Sequence, residues 1–361
     1  MAPSNGSLRT RLTVLALVGL LFAGAHLALE ATARYAESRL GAYLWKEQDY
    51  LRLFSPAYHA GRGAGRLFIY GPSEAREGLL PEEIEHVVPD LKPYQNAQSI
   101  GTIEDGLVAL NYIELAYGRA AVPDEILVGI TTRFIANIRM QRSPLFEGIK
   151  KYSPHFTLEE GTHPPTLVPK STLDATLSRV RLLALQPDRY RRGMVAVGAP
   201  LVNHVVPSLS AYERVLTRPA KYLTRKIGPE SDIRKWLTTP GNYWEAVHTW
   251  NPEADRGRIT HDLQLLIDYT SRHGIRLYIV NLPEWSPNRD LYLPNRYEAY
   301  LDIVTSAIGD TPFLDLRTFL NDDEYYDEAH PTWDGGIRVS RRVAAFIKEH
   351  RERPDSTEGR P

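Results

Sequence analysis

The run Leu67-Phe68-Ile69-Tyr70 is apolar on every position and is stopped at once by Gly71-Pro72-Ser73. An unbroken apolar run of strand length, closed by glycine and proline, is the pattern of a strand covered on both faces, and such strands belong to parallel sheets. Glu125 to Ile130, Gly274 to Pro283 and Phe313 to Leu316 repeat the pattern. Amphipathic helical stretches lie between them: Thr260 to His273, closed by Gly274, then Tyr292 to Ala307, and a last one from Ile337 to about Glu349. A helix, a glycine and an apolar strand make half of a right-handed crossover, so the chain is expected to form an α/β fold. In such sheets ligands gather at the carboxyl ends of the strands, where Ser73 is placed.

A serine hydroxyl is a weak nucleophile until a base takes its proton. The complement lies near the other end of the chain, in Tyr326-Asp327-Glu328-Ala329-His330-Pro331-Thr332-Trp333-Asp334-Gly335-Gly336. Asp327 and His330 are three apart, a spacing that turns both side chains the same way in a tight turn. Ser73, His330 and Asp327 thus form a candidate Ser/His/Asp set. Gly-x-Ser and Asp-x-x-His are each common by chance, and plainer roles exist: a helix cap for Ser73, a loop histidine for His330. Their order, and their position after predicted strands, join them into one expectation.

These motifs resemble those of the SGNH (GDSL-like) hydrolase and acyltransferase superfamily, in its membrane-anchored bacterial form. The resemblance covers roughly residues 64–135 and 275–348. Gly71-Pro72-Ser73 stands where many members have Gly-Asp-Ser, and anchored members that esterify surface polymers often lack that aspartate. The resemblance implies a three-layer α/β/α sandwich with a mostly parallel sheet. It also implies Ser73 as nucleophile, His330 as base and Asp327 as its orienting carboxylate, with Ser73 N–H and Gly101 N–H stabilising the oxyanion. Gly101 follows Tyr94-Gln95-Asn96-Ala97-Gln98-Ser99-Ile100, and the plain alternative for it is a loop glycine. A third, polar oxyanion donor should follow the strand at 125–130. Thr131 and Thr132 lie at its tip, whereas Asn137 is several residues on and reads more readily as a surface or helix residue. After the strand at 274–283, Glu284-Trp285-Ser286-Pro287-Asn288 should lie on the same rim as Ser73, with Trp285 as a substrate contact.

The beginning of the chain bears on where such chemistry would take place. Arg9 and Arg11 precede an apolar stretch from Leu12 to about Leu29, broken only by His26. Its length falls between a signal-peptide core and a spanning helix of about 20 residues. Apolar character continues past the small residues Ala23-Gly24-Ala25, which favours an uncleaved anchor over residues 12–30, with cleavage as the other reading. Arginines on the short side place residues 1–11 in the cytoplasm and the body outside, with Arg34 and Arg39 weakening the bias. A helical stalk is expected over 31–63, a catalytic domain over 64–350 with an insertion at about 142–258, and a disordered polar tail over 351–361.

The insertion is rich in proline around Pro154, Pro164, Pro165 and Pro169, helical from Ser171 to Gln186, and ambiguous between strand and helix at Met194 to Gly198. Long insertions of this kind form caps, lids or grooves. Tyr190, Tyr212, Tyr222, Trp236, Tyr243, Trp244 and Trp250 suit either sugar stacking or packing. His155, His163 and His248 show no metal-ligand spacing.

A net charge of −1 argues against nucleic-acid binding, and the absence of cysteine excludes disulfides, a thiol nucleophile and thiolate metal sites. The expected mechanism needs no metal or diffusible cofactor. The expectation is therefore an envelope O-acyltransferase of the inner membrane, its catalytic domain periplasmic and acting on a surface polysaccharide or wall polymer. The resemblance implies a multi-span membrane acyltransferase as the partner that hands over the acyl group. An ester hydrolase acting on carbohydrate or lipid esters would use the same residues, and a non-catalytic envelope scaffold is the alternative of another class.

Overall fold

Leu67 and Ile69 face one side of a central sheet and Phe68 and Tyr70 the other, as the two-residue period of a strand requires. The computed structural model describes residues 5–39, 49–55, 59, 65–98, 101–137, 143–159, 161–182, 184–185, 190, 194 and 230–352. The sheet has five strands, all parallel, in the order β2-β1-β3-β6-β7: β1 Arg66–Tyr70, β2 Lys92–Gln95, β3 Glu125–Ile130, β6 Arg276–Asn281 and β7 Phe313–Asp315. The order reverses at β1, and the chain after β1 and after β3 opens the crevice that such reversals create.

The chain divides into two units, residues 1–45 with 184–218 and residues 46–183 with 219–361. The first contains helix α1, Asn5–Arg39, which covers the expected anchor. Its Ala16–Ala33 stretch has a mean hydropathy of 1.6 and is long and apolar enough to cross a membrane. Leu17, Leu20 and Leu21 on it are exposed. In the same unit the Tyr190 hydroxyl donates to Glu30 at 3.1 Å. The unit boundary falls inside the expected stalk. Within the second unit, Asp49–Phe54 is a short 3₁₀ turn whose Leu51 and Leu53 are buried.

In the second unit, β1 leads into α2, Ser73–Gly78, and α3, Pro81–Val87, with Pro81 at its first turn. β2 follows, then α4, Ile103–Tyr117, opened by a capping box in which Thr102 and Asp105 exchange hydrogen bonds. α5, Thr132–Ala136, follows β3. Later come α6, Tyr243–Thr249, α7, Arg256–His273, α8, Arg296–Ile308, and α9, Trp333–Glu352. Leu67, Ile69, Leu127, Tyr278 and Val280 pack beneath α2, α3 and α9 through Ala75, Leu79, Ile84, Val339, Val343 and Phe346. On the opposite face Phe68, Tyr70, Ile126 and Val128 meet α4 and α7. The expected α/β fold with a parallel sheet between helices is the one observed.

The sequence pattern offers no strand signal at Lys92 to Gln95. Pro93 removes a ladder donor, and the strand is admitted because it lies at the sheet edge. The insertion holds an antiparallel hairpin, β4 Phe156–Glu159 with β5 Thr166–Pro169, whose loop carries Pro164 and Pro165. Residues 172–182 are helical, close to the expected 171–186. Gly61 to Ala64 and Val195 to Gly198 lie outside the described residues, as does the tail from residue 353; Met194 is helical.

One contact ties the end of the chain to the serine. Ser340 on α9 accepts a hydrogen bond from Leu80 N–H at 2.7 Å, and its own proton lies within reach of the Gly78 and Gly336 carbonyls at 3.0 and 2.8 Å. Both Ser340 and Leu80 are 0% exposed, so no water can replace the hydroxyl. Ser340→Ala should cost about 1–3 kcal/mol in chemical denaturation, the range for orphaning a buried donor. A loss indistinguishable from that of Thr305→Ala, an exposed hydroxyl, would show that the link contributes nothing.

Candidate active site

Gly71 ends β1 at φ +149°, and a Cβ there would come within 2.5 Å of the Gly129 carbonyl on β3. Only glycine lets the chain turn this closely against its neighbour, and the turn delivers Ser73 to the first position of α2. The sequence pattern places Ser73 in the turn that closes the strand. The short α2 went unseen, because six residues nucleate no helix by themselves.

Asp327 and His330 sit in a turn after β7, closed by a bridge between Tyr325 and Pro331 and by Tyr326 N–H on the His330 carbonyl at 3.1 Å. Asp327 Oδ1 accepts from the backbone N–H groups of Ala329 and His330 at 2.9 and 2.8 Å. The carboxylate is thereby fixed as an acceptor, so His330 Nδ1, 2.8 Å from Oδ2, must be the donor. In a neutral ring Nε2 is then an acceptor, and Ser73 Oγ lies 2.8 Å from it, across 257 residues of sequence. A hydroxyl, an imidazole and a carboxylate in this order can pass a proton from oxygen to nitrogen.

The surroundings are more acidic than the three residues suggest. Glu77, with 2% of its side chain exposed, places Oε1 3.8 Å from His330 Nε2. Arg76 at 2.9 Å and the Tyr326 hydroxyl at 2.6 Å hold it there. The Tyr326 ring stacks on the imidazole at 5.5 Å. Burial alone would lower the His330 pKa, yet Glu77, together with the hydrogen bond and charge of Asp327, raises it. Burial acts to raise Asp327, and the His330 hydrogen bond and charge with the two backbone N–H groups outweigh it, keeping the carboxyl below its usual value. Glu328 is pushed up by burial and by the charge of Asp327.

Glu74 Oε2 is 3.1 Å from Ser73 Oγ and is paired with Arg133, whose guanidinium also lies 3.4 Å from Oγ. Beside them opens a small, narrow cleft, bounded by Glu74, Arg133, Trp244, Asn288, Tyr292 and Arg317. Its charges come in pairs: Arg317 bonds Glu284 at 2.9 Å and lies 3.5 Å above the Tyr297 ring. The Tyr292 hydroxyl donates to Glu284 at 2.7 Å. Beside Arg133, burial pushes the Tyr243 hydroxyl up to about 12.

The other residues singled out by sequence fall differently. Gly101 lies near the end of β1, where a Cβ would be 3.1 Å from the Gly71 carbonyl, and its N–H makes a long 3.3 Å bond to Gln98. Thr131 borders the cleft, but its hydroxyl caps α5 by accepting from Phe134 N–H at 3.2 Å. Asn137 ends the same helix in the left-handed conformation at φ 54°. Trp285 is 0% exposed and belongs to the hydrophobic core, so no face of its indole is open to a substrate. Its neighbours Glu284 and Asn288 line the cleft instead.

Of the aromatics proposed for stacking, Trp244 borders the cleft, Tyr190 is in the other unit, and Tyr212 and Tyr222 lie outside the described residues. Trp236 is 44% exposed, and Trp250 donates to Asp255 at 2.7 Å. His163 bonds Asp262 and Glu104, and His248 bonds Asn288. Sequence reasoning missed Glu74, Glu77 and Arg133. Had α2 been foreseen, Glu77 would have stood out, since a residue four past Ser73 shares its helical face.

A base must be neutral to accept a proton, so a raised His330 pKa delays activation of Ser73 on the way up in pH. The rate of Ser73 modification by a fluorophosphonate should rise through a midpoint above histidine's usual value of about 6.5. Glu77→Gln removes a negative charge and should move that midpoint down; an unmoved midpoint would mean that Glu77 does not act on the imidazole.

No family model matches this chain, and no curated protein matches it. Among solved structures it is similar to a Bacteroides fragilis protein described as a “putative acylhydrolase”, with 11% identity, a TM-score of 0.35, and coverage of 84% of this chain and 94% of that one. At that score the similarity adds nothing to the chemistry, which rests on the residues themselves.

Proposed function

We propose that this chain is a serine-dependent, SGNH-type acyl-ester enzyme of the bacterial cell envelope, and that its reaction is O-acyl transfer to a surface polysaccharide or wall polymer. The observation that carries the reading is the unbroken chain from Ser73 Oγ to His330 Nε2 at 2.8 Å and from His330 Nδ1 to Asp327 at 2.8 Å. In this mechanism Ser73 Oγ attacks the ester carbonyl as its proton passes to His330 Nε2. Asp327 holds the ring in the correct tautomer and stabilises the imidazolium. The acyl–oxygen bond breaks, and His330 protonates the departing alcohol. An incoming hydroxyl then gives its proton to His330 and takes the acyl group, and His330 returns that proton to the departing Ser73 Oγ. Ser73 N–H and Gly101 N–H are the backbone donors proposed for the oxyanion, the latter by releasing its long bond to the Gln98 carbonyl.

The cleft supports a carbohydrate in preference to a lipid ester. Phenols, carboxamides and ion pairs already neutralised within the wall offer hydrogen bonds without a net charge, which suits a neutral polyhydroxyl ring. Hydrolysis is the near alternative, in which water replaces the acceptor. Helix α1 supports a membrane anchor. As part of the same proposal, the membrane is the inner one, the second unit is periplasmic and a multi-span acyltransferase is the donor partner.

Fluorophosphonate labelling of the full-length protein in detergent should be lost in Ser73→Ala and His330→Ala and slowed on the order of 10⁴-fold in Asp327→Asn. With an activated acetyl ester and an oligosaccharide, acetylated sugar should form, whereas acetate alone would favour the hydrolase. A folded wild type that neither labels nor turns over would leave the scaffold as the better account.

Because the chain has no cysteine, a single Glu298→Cys variant reports topology. It should react with an impermeant maleimide added to spheroplasts of a bacterial host. Reaction only after lysis would place the second unit in the cytoplasm.

A further inference from the structure

Resting on the serine-enzyme reading, we propose that Arg133 is a catalytic residue, the third and cationic donor to the oxyanion. Of the residues expected to supply such a donor after β3, Thr131 precedes α5, where its hydroxyl accepts from Phe134 N–H, and Asn137 lies at the far end of that helix. Arg133, on the first turn of α5, reaches the nucleophile instead, with its Nη2 3.4 Å from Ser73 Oγ. When Oγ bonds the carbonyl carbon, the pair of electrons displaced from the C=O bond settles on an oxygen one bond beyond that carbon. A donor already this close to Oγ is within reach of it.

The guanidinium is held for the task. Its side chain is 15% exposed and lies over the rings of Trp244 and Tyr243 at 5.5 and 5.9 Å, while Glu74 anchors one edge. A planar fork with five N–H donors can keep its bond to Glu74 and offer another N–H to the oxyanion. Burial opposes the charge, but Glu74 restores it, so the group stays cationic. Glu74 carries negative charge to within 3.1 Å of Oγ, where it would oppose a developing oxyanion. Arg133 both cancels that charge and supplies the stabilisation.

These two contributions separate in a double-mutant experiment on the full-length protein in detergent, with p-nitrophenyl acetate as substrate and Ser73→Ala as the blank. Arg133→Met should lower kcat by about 10²–10³-fold, the usual loss for one oxyanion donor, with KM changed only a few-fold. Arg133→Lys should recover part of the loss. In Glu74→Gln/Arg133→Met, where no carboxylate is left to neutralise, kcat should stay low. Recovery in the double variant would reduce Arg133 to a counter-ion and overturn the proposal, as would an Arg133→Met enzyme within threefold of wild type. Wild-type turnover no faster than Ser73→Ala would overturn the serine reading itself, and this proposal with it.

Discussion

The site depends on how closely the last helix approaches the serine helix. A Cβ on Gly336, in the first turn of α9, would sit 2.7 Å from the Glu77 carbonyl on α2, so the two backbones meet with nothing between them. Ser340, one turn on, takes the Leu80 N–H just beyond α2. Those contacts set the spacing between α2 and the turn that precedes α9, and hence the 2.8 Å between Ser73 and His330. Residues from opposite ends of the sequence are fixed by backbone packing, with side-chain hydrogen bonds completing a geometry already imposed.

That packing also explains the electrostatics. Bringing α2 so near the Asp327 turn buries Glu77 beside an imidazole already bonded to Asp327, and the ring lies between two carboxylates. A buried carboxylate needs partners, and Arg76 and Tyr326 supply them. Glu74 and Arg133 repeat the arrangement on the other side of Ser73. The serine is flanked by two neutralised acid–base pairs in a region where isolated charges could not be held.

The parts of the fold legible in the sequence were those with long or unbroken apolar patterns. β1, β3, β6, β7 and the helices ending at His273 and Glu352 were visible because burial on one or two faces writes directly into residue type. β2 was not, since Lys-Pro-Tyr-Gln has neither alternation nor an apolar run and is held by its neighbour in the sheet. Spacing was enough to group Ser73, Asp327 and His330. It could not distinguish Thr131, Arg133 and Asn137, because which residue of a short helix faces the serine depends on the dihedral angles of the turn before it. Trp285 shows the same limit: its position after β6 was correctly read, but its side chain turns inward to fill the core.

Gln95 gives the serine helix a further dependence. From the last position of the edge strand β2, its carboxamide nitrogen lies within hydrogen-bond reach of the Ala75, Arg76 and Leu79 carbonyls, at 3.1, 2.9 and 2.9 Å. It gathers carbonyls at the end of a helix too short to persist alone. Edge strands have a neighbour on one side only and fray more readily than central ones. Fraying of β2 would release the carbonyl end of α2 and let Ser73 drift from His330. The periphery of the sheet thus acts as a latch on its centre, and changes at the rim would alter the Ser73–His330 geometry without touching either residue.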